Sequence, residues 1–145
     1  MSSSASAIAD ELVTELGEIA GVGAANSTKS DYGILERATS QFCMVVRPAS
    51  GDNNWGNFGT GDATPMDTKY TFLVHGFVRE LDDPVAYMNA QYTLINDVQA
   101  KLNAQQTLNG TCEYAMLARW EVPDLELNIN GAIWQEERFW VECLS

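Results

Sequence analysis

One histidine, His75, must carry any imidazole chemistry in this chain of 145 residues. A nucleophile–base pair, an imidazole metal site and a histidine general base would all run through it. It alternates with Leu73 and Phe77, the pattern of a packed strand, and reads as a hydrogen-bonded structural residue. The adjacent acids Asp82/Asp83 and Glu136/Glu137 have the residue types of a glycosidase pair. In a chain with 20 acids and 8 bases they read instead as solvated surface. Asp52-Asn53-Asn54 begins like a calcium loop, but the sixth position is Asn57 rather than glycine, and the twelfth is Ala63 rather than glutamate. Gly56, Gly59 and Gly61 lead to Pro65 and a strand, where a phosphate cradle needs a helix N-terminus. Cys43, Cys112 and Cys143 have no CxxC spacing and read as buried, reduced thiols. The expectation is a protein with no catalytic residue, no metal and no cofactor.

The elements that would position these side chains follow from periodicity. Residues Ser6 to Ala20 carry Ile8, Leu12, Val13, Leu16 and Ile19 at helical spacing, with Glu11, Glu15 and Glu18 on the remaining surface. A polar connector leads to the strand Phe42 to Arg47, which Pro48 is expected to end. Residues 49–69 form the expected long glycine-rich hairpin loop, with Trp55, Asn57 and Phe58 in it. In the following strand, Tyr70, Phe72, Val74, Gly76 and Val78 share one face, and Thr71, Leu73, His75, Phe77 and Arg79 the other. Asp83 caps a second helix with Pro84 at its first position, and Met88, Tyr92, Ile95, Val98 and Leu102 form its expected seam.

Three strands close the chain. Tyr114, Met116, Ala118, Trp120 and Val122 share a face, Leu125 to Ile129 runs into Asn130-Gly131, and Ala132 to Leu144 finishes the sheet. Gln135 to Arg138 interrupts the apolar pattern and predicts a bulge or an exposed rim. The fold class expected is a single α+β domain, residues 1–145, with a mostly antiparallel sheet of about five strands and two main helices packed on it.

A net charge of −12 repels phosphate backbones and anionic lipid heads, which argues against tight nucleic-acid binding. The first residues carry acids where a signal peptide needs bases, and no segment approaches the roughly 18 apolar residues of a membrane span. A soluble protein made in the cytoplasm is expected. Large aromatics in unusual settings are candidate partner contacts: Trp55 and Phe58 with Asn57 in the loop, and Trp134 and Trp140 in the last strand. The candidate acidic surface comprises Glu11, Glu15, Glu18, Asp82, Asp83, Glu121, Asp124 and Glu126.

An acidic chain of this length, with an N-terminal helix, an oversized hairpin loop, a second amphipathic helix and a closing meander, resembles the tail terminator proteins of long-tailed bacteriophages. Tyr70 to Leu102, a strand passing through an acidic turn into a long helix, and the Trp120 to Trp140 meander carry the resemblance. It implies a virion protein of the tail or neck, made in the host bacterium, whose copies form a homohexameric ring. Such a ring caps the tail tube, ends its growth, meets the head connector or stopper, and lets genomic DNA pass an acidic lumen without holding it. Three alternatives stay open on the sequence: another neck protein such as a connector or stopper, a small acidic secretion chaperone, or a cone-shaped α+β enzyme using His75.

Overall fold

The structure, a computed structural model, describes residues 4–54 and 67–144. Its elements are α1 (Ala5–Gly17), β1 (Ser27–Lys29), β2 (Phe42–Asn54), β3 (Asp67–Arg79), α2 (Pro84–Ala104), β4 (Tyr114–Glu121), β5 (Glu126–Ile129) and β6 (Ala132–Leu144). The fold is α+β, with two helices against a six-stranded, mostly antiparallel sheet ordered β1-β2-β3-β6-β4. β5 also pairs with β6, in line with β4 along the same margin of that strand.

The sixth strand departs from the expected five. β1 pairs with β2 in parallel, and it lies in a polar connector with no apolar alternation. Side-chain hydrogen bonds hold that connector in place. Asn26 donates from Nδ2 to the Val22 carbonyl at 2.9 Å, and the Ser27 hydroxyl donates to the Val13 carbonyl at 2.7 Å.

β2 and β3 also differ from expectation. Pro48 does not end β2, because the register slips between Pro48 and Ser50 and pairing resumes as far as Asn54 with Asp67. A bulge accommodates the residue that lacks an N–H. Residues 49–54 and 67–69, expected in the loop, therefore belong to strands; residues 55–66, with Trp55, Asn57 and Phe58, lie outside the described ones.

Ser4 caps α1, accepting from the Ala7 amide, and Asp83 caps α2, accepting from the Val85 amide, with Pro84 beside it. Each cap satisfies an amide that the first turn leaves without an intrahelical partner. The helices cover one sheet face, where Leu12, Leu16, Leu94, Val98 and Leu102 meet Met44, Val46, Val74, Phe139 and Val141. On the opposite face the 3-10 turn Tyr32–Glu36 brings Ile34 and Leu35 to a smaller cluster with Cys43, Val45, Phe77 and Trp134, against which Leu127 and Ile129 of β5 pack.

Gly76 lies where Leu94 of α2 packs tightly on the sheet. A methyl group there would lie 3.0 Å from Phe139 Cε2 and 3.1 Å from Leu94 Cδ2. Gly76→Ala is expected to cost about 1–3 kcal/mol through overpacking, read as a lower urea midpoint at unchanged slope. Asn130 and Gly131 have φ of 53° and 83°, the left-handed pair that a two-residue hairpin between β5 and β6 requires.

Candidate functional site

The chemistry-bearing side chains gather on the sheet face away from the helices. His75 of β3 stands directly across from Arg138 of β6, and beside Glu136 on the same strand. Arg47 Nε donates to His75 Nε2 at 3.0 Å, so that nitrogen carries no proton; Nδ1–H then donates to Glu136 Oε1. Tyr32 packs edge-on against the imidazole at 5.5 Å between ring centres. Arg138 donates to both Glu136 oxygens, at 3.2 and 3.3 Å.

Burial pulls the His75 pKa below its ordinary value, Arg47 and Arg138 push the same way, and Glu136 opposes them without reversing the result. Burial raises the Glu136 carboxyl, but the hydrogen bonds from Arg138 and His75 outweigh it and hold the group below the usual range. The cluster is thus a neutral imidazole between two guanidiniums, with Glu136 and Glu121 as counter-charges. Both imidazole nitrogens are engaged, the arrangement of a buried polar network that locks strands together.

Glu137 points the other way, into the helix-covered core. It is fully buried, and neither carboxylate oxygen has a hydrogen-bond partner. Burial raises its pKa to about 8, which keeps it a neutral acid near pH 7. The sequence reading of Glu136 and Glu137 as solvated surface is therefore corrected, as is the expected rim. β6 pairs with β3 without interruption from Trp134 to Leu144, and on its other side β5 pairs as far as Gln135 and β4 from Arg138, so the polar run sits inside the sheet.

The candidate partner residues separate into groups. Trp134 is 1% exposed, with Arg79 5.8 Å above its ring, and is a core residue. Its burial removes it from any accessible contact surface. Trp140 is half-buried beneath the Arg119 guanidinium, 4.3 Å from the ring centre. Among the acids, Glu18, Asp82, Asp83, Asp124 and Glu126 are exposed and Glu11 and Glu121 half-exposed, while Glu15 is buried between the helices. Burial and the nearby Glu18 raise the Glu15 pKa, against the pull of Lys101, whose Nζ lies 3.7 Å away.

Periodicity alone missed the surface that the fold leaves open. The α2 seam consists of Ala90, Leu94, Ile95, Val98 and Leu102, whereas Met88 and Tyr92, placed in the seam by their spacing, are 49% and 59% exposed. In β4 the register shifts between Leu117 and Arg119, so Trp120 pairs with Phe139 and turns to the helix-covered face, away from the side of Tyr114 and Met116. Trp120 is 48% exposed. Sequence alternation holds only until a bulge, and nothing in Tyr114 to Glu121 signals this one.

All three cysteines are buried and free. Burial raises Cys43 to about 12 and raises Cys112 and Cys143 as well, so their thiolates are suppressed. No group of three or more histidine, cysteine or acidic side chains suited to a metal occurs among the described residues. No helix among them is long and apolar enough to cross a membrane. What the chain presents outward is thus an α+β scaffold with an apolar and acidic margin. No protein-family model matches it, and neither does any curated protein.

Proposed function

We propose that this chain is a structural virion protein of the tail-terminator kind, a single domain whose copies close into a homohexameric ring. The ring caps the phage tail tube, stops its polymerisation and joins the tail to the head-side connector or stopper. The exposed apolar side chains on the helix-covered side of β4 and on the outer flank of α2, Trp120, Met88 and Tyr92, carry this reading. Large exposed apolar groups beside an edge strand mark a protein-contact surface.

The acids support the second half of the proposal. Asp82, Asp83, Asp124 and Glu126 are exposed, and six copies multiply a net charge of −12. A lumen lined by such groups offers DNA no cations to replace its counterions, so the duplex passes without being held. The test is to add purified chain to growing tail tubes. Growth should stop with one ring at the tube end, whereas a connector or stopper would leave growth unaffected and bind the head side. A ring whose lumen is lined by Arg47, Arg79 or Arg119 contradicts the proposal.

A further inference from the structure

Cys112 lies in the connector that leads from α2 to β4, and Cys143 is the penultimate residue of β6. Glu113, next to Cys112, donates its amide to the Leu144 carbonyl at 2.8 Å, and Cys143 pairs with Ala115 across the β4–β6 ladder. The connector is thereby laid along the end of β6. Both cysteines belong to the core under the helices, where their thiols are neighbours close enough to share a hydrogen bond. Cys43 stands apart, in the cluster on the opposite sheet face. Of the pairings that three cysteines allow, the fold brings only Cys112 and Cys143 together.

The two differ in access: Cys112 is 7% exposed and Cys143 0%. The backbone just before Cys112 is unusual. Leu108, Asn109 and Gly110 have φ of 47°, 55° and 81°, three left-handed residues in succession. Glycine adopts this conformation freely and asparagine readily, but a leucine is strained there, and the full burial of the Leu108 side chain offsets that strain. Opening of this connector uncovers Cys112 and leaves Cys143 in its strand.

We propose that Cys112 and Cys143 are a reversible thiol–disulfide pair, a staple between the α2–β4 connector and the C-terminal strand that closes when the protein meets a small-molecule disulfide such as oxidised glutathione. Closure takes two displacements. The Cys112 thiolate attacks one sulfur of the small disulfide, forming a mixed disulfide and expelling the first small thiolate. The Cys143 thiolate then attacks the Cys112 sulfur and expels the second. Two protein thiols are oxidised, one small disulfide is reduced to two thiols, and the protons that the cysteines lose end on those thiols. Burial suppresses both protein thiolates, so closure is slow in the resting fold and quickens as the connector opens or the pH rises. In a reducing compartment the pair stays open, and outside one it closes. The staple lies within one chain, so it stands apart from the ring reading.

The test is to incubate the folded wild-type chain with oxidised glutathione at mildly alkaline pH, alkylate the remaining thiols in urea, and map peptides by mass spectrometry without reduction. A pair joined through Cys112 and Cys143 should dominate, with Cys43 alkylated, and dithiothreitol should restore three free thiols. The bridged chain should have an unfolding constant lower than that of the reduced chain by about two orders of magnitude, because the bridge restricts the unfolded state. Cys143→Ala should stop at the glutathione adduct on Cys112, Cys112→Ala should leave Cys143 unmodified, and Cys43→Ala should close as wild type does. A wild-type chain that stops at the adduct, keeps three free thiols, or forms a bridge through Cys43 or between chains would overturn the proposal. So would a bridged chain no more stable than the reduced one. The wild-type map decides the pairing even where a variant fails to fold.

Discussion

Glu137→Leu is expected to stabilise the protein at pH 8 far more than at pH 5, with a difference on the order of 4 kcal/mol. The cause is a carboxyl buried with no partner for either oxygen, whose pKa rises from 4.5 to about 8. Between those values the unfolded chain has released this proton while the folded chain still holds it. Stability is therefore intact below about pH 4.5, falls as pH rises through the window, and levels off above about 8. The α2 side of this region carries Tyr87, whose hydroxyl is also buried and unpartnered; burial, with Glu126, Glu80 and Glu137 adding to it, raises its pKa to about 12. Urea unfolding of wild type, Glu137→Gln and Glu137→Leu across pH 5 to 8 checks the account. Both variants should lose the slope; a wild-type profile parallel to theirs would show that Glu137 ionises freely.

Glu136→Ala should be the most damaging single change at the polar cluster, costing about 3 kcal/mol at pH 7. It leaves the His75 Nδ1–H without its acceptor and the Arg138 guanidinium without its nearest counter-charge. Glu136→Gln keeps the shape and an acceptor oxygen, and should cost about half as much. The pH dependence has the opposite sign to that of Glu137. A folded His75 with a depressed pKa stays neutral where the unfolded histidine, near 6.5, takes up a proton, so stability is present above 6.5 and is lost as pH falls through the folded value. Removing Glu136 deletes the interaction that raises the His75 pKa, and the titration should move further down. With one histidine in the chain, a single imidazole NMR signal reports this. An unchanged or higher midpoint in Glu136→Ala would contradict the cluster.

The α+β class, the Asp83–Pro84 helix start, the two faces of β3 and the Asn130-Gly131 turn were legible because each rests on local chemistry: a capping oxygen, a fixed φ, a period of two, a left-handed pair. β1 was not, because Asn26 and Ser27 side chains position it and no apolar pattern marks it. The polar run Gln135 to Arg138 looked like a rim because sequence cannot show that Glu136 meets His75 from a strand 61 residues away. The exposed flank of α2 escaped for a related reason. Met88 and Tyr92 have the spacing of a seam, but α2 turns Ala90, Leu94 and Val98 to the sheet and leaves them outside. Which side of a helix becomes buried depends on what it packs against.

Acidity argues against tight binding of nucleic acid, and the proposed ring would turn that into a passage that does not retain DNA. The most direct measurement is electron microscopy of tail tubes grown with and without the purified chain. The account predicts tubes of arrested length, each closed at one end by a six-fold ring of this protein around an open, acidic channel. Tubes that grow to the same length distribution with no ring at either end, while the chain remains monomeric beside them, would contradict it.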